Sequence, residues 1–486
     1  MEVAHNCSSS NAGHRGSRDY GETVSDQQTD MPVPEFRRAG HDVIEWIGDY
    51  LEGIRDLPVL PDVKPGDISA KLPLHAPEKG EEIDKIMADF REIIVSGNTH
   101  WNHPRFHAYF SVSASAPGIL AESLAAALNV NGMVWKSSPS FTELEVRMVE
   151  WLREWLGLPK EFFGVVYDTA SVSTLHALIA ARDCVDPETR TRGMLGNLTV
   201  YTSEHAHSSV EKGAISLGFG QDNVRKVPVD DAFRMRPDAL RAMMEGDAVE
   251  GKKPCCVVPT IGTTSTASVD PVRPVLETAR RFGAWVHVDG AYGGPAGMLP
   301  EFNWMMDAVD EADSIVVNPQ KWMFTPLDCS VLYTRRPEVL RRALSLTPEY
   351  LKTREDGSVI NLMDYSVPLG RRFRSLKLWF VMRYFGRERM TEIIRSHITM
   401  AKEFASWVAA DGRFELCAPV ELSLVCFRVC GSDEENRNLL DRVNASGVAF
   451  LSHTVLDGRF VIRMALGNLR TTPEDVQLVW KRVQSA

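Results

Sequence analysis

Between residues 116 and 377 the chain alternates short apolar runs with longer stretches of helical period. The runs are GVVYD, NLTVYTS, CCVVPTIG, AWVHVDGAY, SIVVNP and CSVLYT. Each has a core of about four to six residues rich in β-branched side chains, as a strand needs when both its faces are covered. Covering both faces takes crossover helices, so this region predicts a large α/β domain on a mostly parallel central sheet. Such sheets place their sites beyond the carboxyl ends of the strands, and the residues just after each run carry the functional information.

The flanks differ in character. Residues 1–30 are polar and Ser-rich and lack the apolar segment of a secretory signal, which predicts a disordered tail and no export. Residues 31–115 contain an amphipathic helix over Pro34 to Leu57, a Pro-rich linker and a second helix, GEEIDKIMADFREIIVSG. So open an N-terminal helical extension buries its apolar faces most easily against a second copy of the chain. Residues 378–486, with ELSLVCFRVC and RFVIRMALG between helices, predict a small C-terminal α+β domain. The net charge of -11 argues against nucleic acid as a partner, and no apolar run is long enough to span a membrane. Eight cysteines without a C-x-x-C spacing suit reduced thiols and a cytoplasmic location.

Several strand ends carry polar groups. Lys321 stands three residues after Asn318 in SIVVNPQKW, where burial disfavours the ammonium and leaves an amine able to form a Schiff base. Taken alone, this residue is better explained as a surface loop lysine. Asp289 ends AWVHVD ahead of Gly290, Gly293 and Gly294, whose thin backbone would admit a flat ligand; the plainer role for this acid is a helix cap. Facing a pyridine nitrogen at 4 Å, it would contribute about 4 kcal/mol and raise the ring pKa by roughly three units. Thr169, Ala170 and Ser171 lie between a strand and a helix and form an anion site or, more simply, a cap; Thr264 and Asn318 are further donors for a phosphate. No G-x-x-x-x-G-K-[ST] is present, which argues against nucleoside triphosphates. His205 with His207, and His103 with His107 across Pro104, lack the partners of a metal site, so no metal is expected, and His207 is better suited to stacking on an aromatic cofactor. LGFGQDN lacks the third glycine of a dinucleotide loop and reads as a turn.

Taken together, WKSSPSFTELE (135–145), YDTAS (167–171), EHAHSSVEKGA (204–214), HVDGAYGG (287–294), NPQKW (318–322) and PLGRRFRSLKLWFVMRYFG (368–386) resemble the group II pyridoxal-phosphate-dependent decarboxylases. The likeness covers essentially all of 31–486 and points to the aromatic L-amino acid decarboxylase branch. It implies an aspartate-aminotransferase-like fold (PLP fold type I) and a homodimer with the site at the interface. Lys321 would carry pyridoxal 5'-phosphate, Asp289 would pair with its ring nitrogen, and His207 and Ala291 would pack on the two ring faces. Thr169, Ala170, Ser171, Thr264 and Asn318 correspond to cofactor-binding positions. Trp101, Tyr109 and Phe110 fall at the aromatic substrate pocket, and Met133 where the neighbouring subunit adds an apolar wall. Tyr350, on a polar lid-like stretch, stands where decarboxylases carry a proton donor and related aldehyde synthases often carry phenylalanine. Gln320 departs from the usual His before the lysine, Val172 replaces a common glutamate, and Asp168 replaces a common glycine and should face away from the phosphate. Arg371, Arg372 and Arg374 read as structural. The implied reaction converts an aromatic amino acid of the Trp, Tyr, Phe or DOPA type to its amine and CO2. The rivals are an oxygen-consuming aldehyde synthase, a decarboxylase of a non-aromatic amino acid, and a silent binding protein on the same fold.

Overall fold

The computed structural model describes residues 30–346 and 358–486, so the expected tail lies outside the described residues except for Asp30. Seven strands form the central sheet: β1 (Phe163–Tyr167), β2 (Leu198–Ser203), β3 (Val224–Val227), β4 (Lys253–Val258), β5 (Trp285–Asp289), β6 (Ser314–Val317) and β7 (Ser330–Thr334). Their order is β1-β7-β6-β5-β4-β2-β3. The pairs among β2 to β6 are parallel, and β7 runs antiparallel to both β1 and β6. The segment between β6 and β7 is spent on the Lys321 turn instead of a crossover helix, and a strand returning without a crossover pairs antiparallel. Six of the seven strands coincide with the apolar runs. The seventh, β3, has the sequence VRKV at the sheet edge, where two charged residues erase the apolar signal.

Burial on both faces is visible along β5, where Val286 and Val288 enter one core and Trp285 the other. A second, antiparallel sheet has the order β10-β11-β9-β8, built from β8 (Phe414–Leu416), β9 (Leu424–Val429), β10 (Ser452–Leu456) and β11 (Arg459–Ala465). The helices Asp433–Ala445 and Pro473–Ser485 that cover it both begin in capping boxes, at Ser432 with Glu435 and Thr472 with Asp475.

The helix Arg374–Ala410 joins the two units and breaks at Gly386, where φ is 65°. Its Leu378 to Ile398 face packs in the large core, and Met400 to Val408 in the small one. The expected junction at 377/378 therefore lies inside a helix shared by both cores. In the N-terminal helix Val33–Gly53 only Ala39 is buried, and Phe36 is 64% exposed. Among the described residues no helix is long and apolar enough to cross a membrane.

Candidate active site

Strands β1, β2, β4, β5 and β6 point the same way, and their carboxyl ends surround a cavity of about 210 Å³. Lys321 enters it from the short helical turn Pro319–Trp322 that follows β6. Trp322 anchors that turn: it is fully buried, donates from Nε1 to His397 Nδ1 at 3.0 Å, and stacks on Tyr292 with centroids 4.7 Å apart. The Lys321 ammonium lies 5.5 Å from the centroid of Phe110, which in turn stacks on Tyr292 at 3.6 Å. Burial lowers the Lys321 pKa, and the Asp289 carboxylate opposes that shift.

Asp289 ends β5 and is 5% exposed; its Oδ1 accepts the Ala291 N–H at 3.0 Å. Backbone bonds from Asp289 to Pro259 and from Ile261 to Asp289, at 2.9 and 2.8 Å, fix it between β4 and its own turn. The glycines after it serve another purpose than expected. A Cβ on Gly293 would lie 2.6 Å from the Ile261 carbonyl oxygen, and one on Gly290 would lie 3.1 Å from that of Val316. They let the turn press against the neighbouring strand ends, and they do not line the cavity.

At the other end, Thr169 precedes the helix Ala170–Val185, which has no side-chain cap. Asp168 accepts from both the N–H and the hydroxyl of Thr169, at 2.5 and 3.0 Å. Its carboxylate is thus occupied by Thr169 and is not part of the cavity wall. The Thr169 hydroxyl spends its proton there, so the donors at this end are the first helix N–H groups and the Ser171 hydroxyl. His207 stands on the wall after β2, and its Nδ1 accepts from the Ser209 N–H at 3.1 Å and the Ser209 hydroxyl at 2.8 Å. The ring proton of neutral His207 is therefore on Nε2, and burial, reinforced by the Lys321 charge, lowers its pKa.

Ala170, Ser171, Thr264, Ala291, Asn318 and Gln320 also meet at this cavity. Gln320 Oε1 accepts the Cys329 N–H at 2.5 Å, which leaves its amide NH2 as the free end. Trp101 and Tyr109 do not reach the cavity wall of this chain. They stack on each other at 5.8 Å, and Tyr109 lines an adjoining cavity of about 410 Å³ that shares Thr264. Met133 packs beside Val134 and Met363, away from this chain's cavity. Tyr350 lies outside the described residues. Thr260, Ser209 and Tyr292 were not anticipated; PTIGTT and GAYGG carry two of them, but a hydroxyl after a strand is too common a signal to single out. The three arginines of GRRFRS are ion-paired, Arg371 with Glu145, Arg372 with Glu122, and Arg374 with Asp328. His107 donates from Nδ1 to the Ala465 carbonyl at 3.1 Å, and His103 Nδ1 accepts the Arg105 N–H at 3.0 Å, so both tie the N-terminal segment into the fold.

The family model described as the pyridoxal-dependent decarboxylase conserved domain matches residues 65–430. The chain belongs to the pyridoxal-dependent decarboxylases. It is 40% identical to the aromatic-L-amino-acid decarboxylase of Mus musculus, over 93% of this chain and 97% of that one. It is 39% identical to the phenylacetaldehyde synthase of a Rosa hybrid cultivar, over 96% of this chain and 97% of that one. Among solved structures, Oryza sativa TDC with PLP and tryptamine superposes with a TM-score of 0.91 at 38% identity, covering 94% of this chain and 98% of that one. This decarboxylase is thus a carboxy-lyase whose cofactor is pyridoxal phosphate. Its cavity suits that group: Asn318 Oδ1 and Thr260 Oγ1 are buried there without a partner, the start of the helix Ala170–Val185 is uncapped, and Asp289 and Lys321 face the same space.

Proposed function

We propose that this decarboxylase removes CO2 from an aromatic L-amino acid of the Trp, Tyr, Phe or DOPA type and releases the amine. The observation that carries the reading is the wall beside Lys321, where the Phe110 and Tyr292 rings meet and no arginine lines the cavity among the described residues, while Arg463 beyond Phe110 has its donors engaged by Ser265, Thr264 and Ser452. A substrate with a second carboxylate would lose its hydration there without gaining a counter-ion.

In this reading Lys321 holds the cofactor covalently, and its lowered pKa favours the unprotonated amine needed for exchange with the substrate amino group. When bound, pyridoxal phosphate supplies the electron sink for the pair left on Cα as CO2 departs. Asp289, steadied by the Ala291 N–H, keeps a proton on the ring nitrogen. His207 and Ala291, both on the cavity wall, would hold the cofactor ring between them. The N–H groups of Ala170 and Ser171, with Ser171, Thr264 and Asn318 side chains, hold the phosphate; Thr169 contributes through the backbone turn. Gln320 offers its NH2 to the substrate side and, as an amide, moves no proton. Tyr350 delivers the proton to Cα.

Trp101 and Tyr109 extend the aromatic side of the substrate region, and Met133 reaches the cavity of a second copy. A homodimer is supported by the exposed apolar side chains of the N-terminal extension and of the helix Ala116–Leu128, including Phe36 (64%), Leu124 (49%) and Leu128 (59%). Free thiols at the buried Cys255, Cys256, Cys329 and Cys426 suit a cytoplasmic location.

The similarity to a phenylacetaldehyde synthase favours a second reading, in which the amino acid, O2 and water would give the aldehyde, CO2, ammonia and hydrogen peroxide, with O2 taking up the two electrons. The test loads the purified chain with pyridoxal phosphate and supplies tryptophan, tyrosine, phenylalanine, DOPA or glutamate in turn, scoring CO2, amine, aldehyde, peroxide and ammonia. Amine equal to CO2 from at least one aromatic substrate is expected. Peroxide equal to CO2 establishes the second reading, and turnover of glutamate alone overturns both.

A further inference from the structure

Arg463, on β11 of the small sheet, is 4% exposed. Its Nε donates to the Ser265 carbonyl at 3.0 Å, its Nη2 to the Thr264 carbonyl at 2.6 Å, and its Nη1 to Ser452 Oγ at 2.8 Å. The guanidinium carbon also lies 5.6 Å from the centroid of Phe110. Its neighbours Cys426 and Tyr292 are a thiol and a phenol that burial keeps protonated, so neither is a counter-ion. An arginine so buried cannot shed its charge, and burying it without a counter-ion is costly, so its hydrogen bonds must hold something whose position matters.

What they hold is the tip of the turn after β4. The base of that turn closes through the Gly262 and Thr263 N–H groups, which both donate to the Ser268 carbonyl, at 3.0 and 2.9 Å. The tip residues Thr264 and Ser265 take part in no backbone–backbone bond among the described residues. Their carbonyls are fixed by Arg463, with a further contact from Cys426 Sγ to Ser265 O at 3.3 Å. Thr264 lines the cavity that contains Lys321, and so does Phe110.

We infer that Arg463 is a positioning residue for the cofactor, through which the small C-terminal sheet sets the Thr264 tip and steadies the Phe110 ring. The inference rests on the reading that Thr264 faces the bound cofactor. Holding the carbonyl holds the Thr264 backbone, so the guanidinium fixes where the Cα–Cβ bond points and the few staggered positions open to the hydroxyl, without touching the cofactor itself.

The test is a double-substitution cycle on the dissociation constant of pyridoxal phosphate, read by fluorescence quenching on folded, cofactor-free chain, with melting temperatures measured alongside. Arg463→Met should weaken binding about tenfold, the scale of one well-placed hydrogen bond to a charged group. Arg463→Lys should recover part of the loss, and Thr264→Ala should weaken binding by a similar factor. In the double variant the Arg463→Met effect should fall to about twofold, because its target is gone. Additive losses, or Arg463→Met binding within twofold of the parent, overturn the inference while leaving the Thr264 reading intact. Thr264→Ala without effect overturns the placement of Thr264 and the inference together. If Arg463→Met does not fold, Ser452→Ala takes its place in the cycle. It keeps the cation and removes one anchor, and a loss of about threefold that vanishes in the Thr264→Ala background is expected. A melting-temperature drop with unchanged affinity marks Arg463 as merely structural.

Discussion

Glu145→Ala should be among the most damaging single substitutions away from the cavity. Glu145 and Arg371 are 1% and 6% exposed. Arg371 Nη2 donates to Glu145 Oε1 and to the Val166 carbonyl, the latter at 2.8 Å, and the Val166 N–H donates to the same Glu145 oxygen at 3.1 Å. Removing the carboxylate strands a guanidinium in the interior, at about 3–5 kcal/mol, and leaves a buried N–H without its acceptor, at about 1–3 kcal/mol. Water admitted to the vacated space offsets part of both. The expected net loss is about 4 kcal/mol, roughly a thousandfold in the folding constant. Replacing both partners by methionine removes both charges at similar volume and should cost only about 1–2 kcal/mol. Urea unfolding followed by tryptophan fluorescence, with recovery checked on dilution, measures Glu145→Ala and the four members of the methionine cycle: the parent, Glu145→Met, Arg371→Met and the double variant. Arg371 also donates its N–H to Asn131 Oδ1 at 2.9 Å and accepts the Gly132 N–H at 3.0 Å, so the Met133 loop should loosen and KM should rise in the folded Glu145→Ala fraction. A Glu145→Ala chain within about 1 kcal/mol of the parent, or single losses that sum to that of the double variant, would refute this reasoning.

Asp289→Asn keeps an acceptor for the Ala291 N–H but removes the charge, so the ring pKa of the bound cofactor should drop by roughly three units and kcat by about a thousandfold; spectral pH titration and initial rates check both, and an unshifted ring pKa counts against the assignment. Burial lowers the pKa values of His107, His176, His287 and His397 to about 4 each. Because each is lower folded than unfolded, its stabilisation is complete above about 6.5 and is lost as pH falls toward 4, up to about 3 kcal/mol per ring. Urea midpoints should therefore decline steadily from pH 7.5 to 5, and a flat profile would contradict the burial of these rings. Gln320→His puts a titrating ring where Gln320 now accepts from Cys329, and kcat between pH 5.5 and 8.5 should gain a limb near 6–7 that the parent lacks. Lys321→Ala should lose turnover and, with it, any cofactor that borohydride can fix to the chain.

Much of this protein was written locally. A strand covered on both faces is apolar at most positions, so β5 and β6 announced themselves despite His287 and Ser314, and with them the two residues, Asp289 and Lys321, that their carboxyl ends present. The start of the helix at Ala170 followed from the same logic, but that no side chain caps it did not. β3 did not announce itself, because an edge strand with Arg225 and Lys226 has only one neighbour to satisfy. The direction of β7, the packing use of Gly290 and Gly293, the turn of Asp168 onto Thr169, and the distance of Trp101 and Tyr109 from the cavity wall also needed the folded chain. The same holds at Arg463, which meets Thr264 across 199 positions, and at Phe110, which stacks on Tyr292. Periodicity and capping record what a residue does with neighbours a turn or a pleat away. Which distant carbonyl a buried guanidinium satisfies depends on the path of the whole backbone, and that is settled only when both cores close.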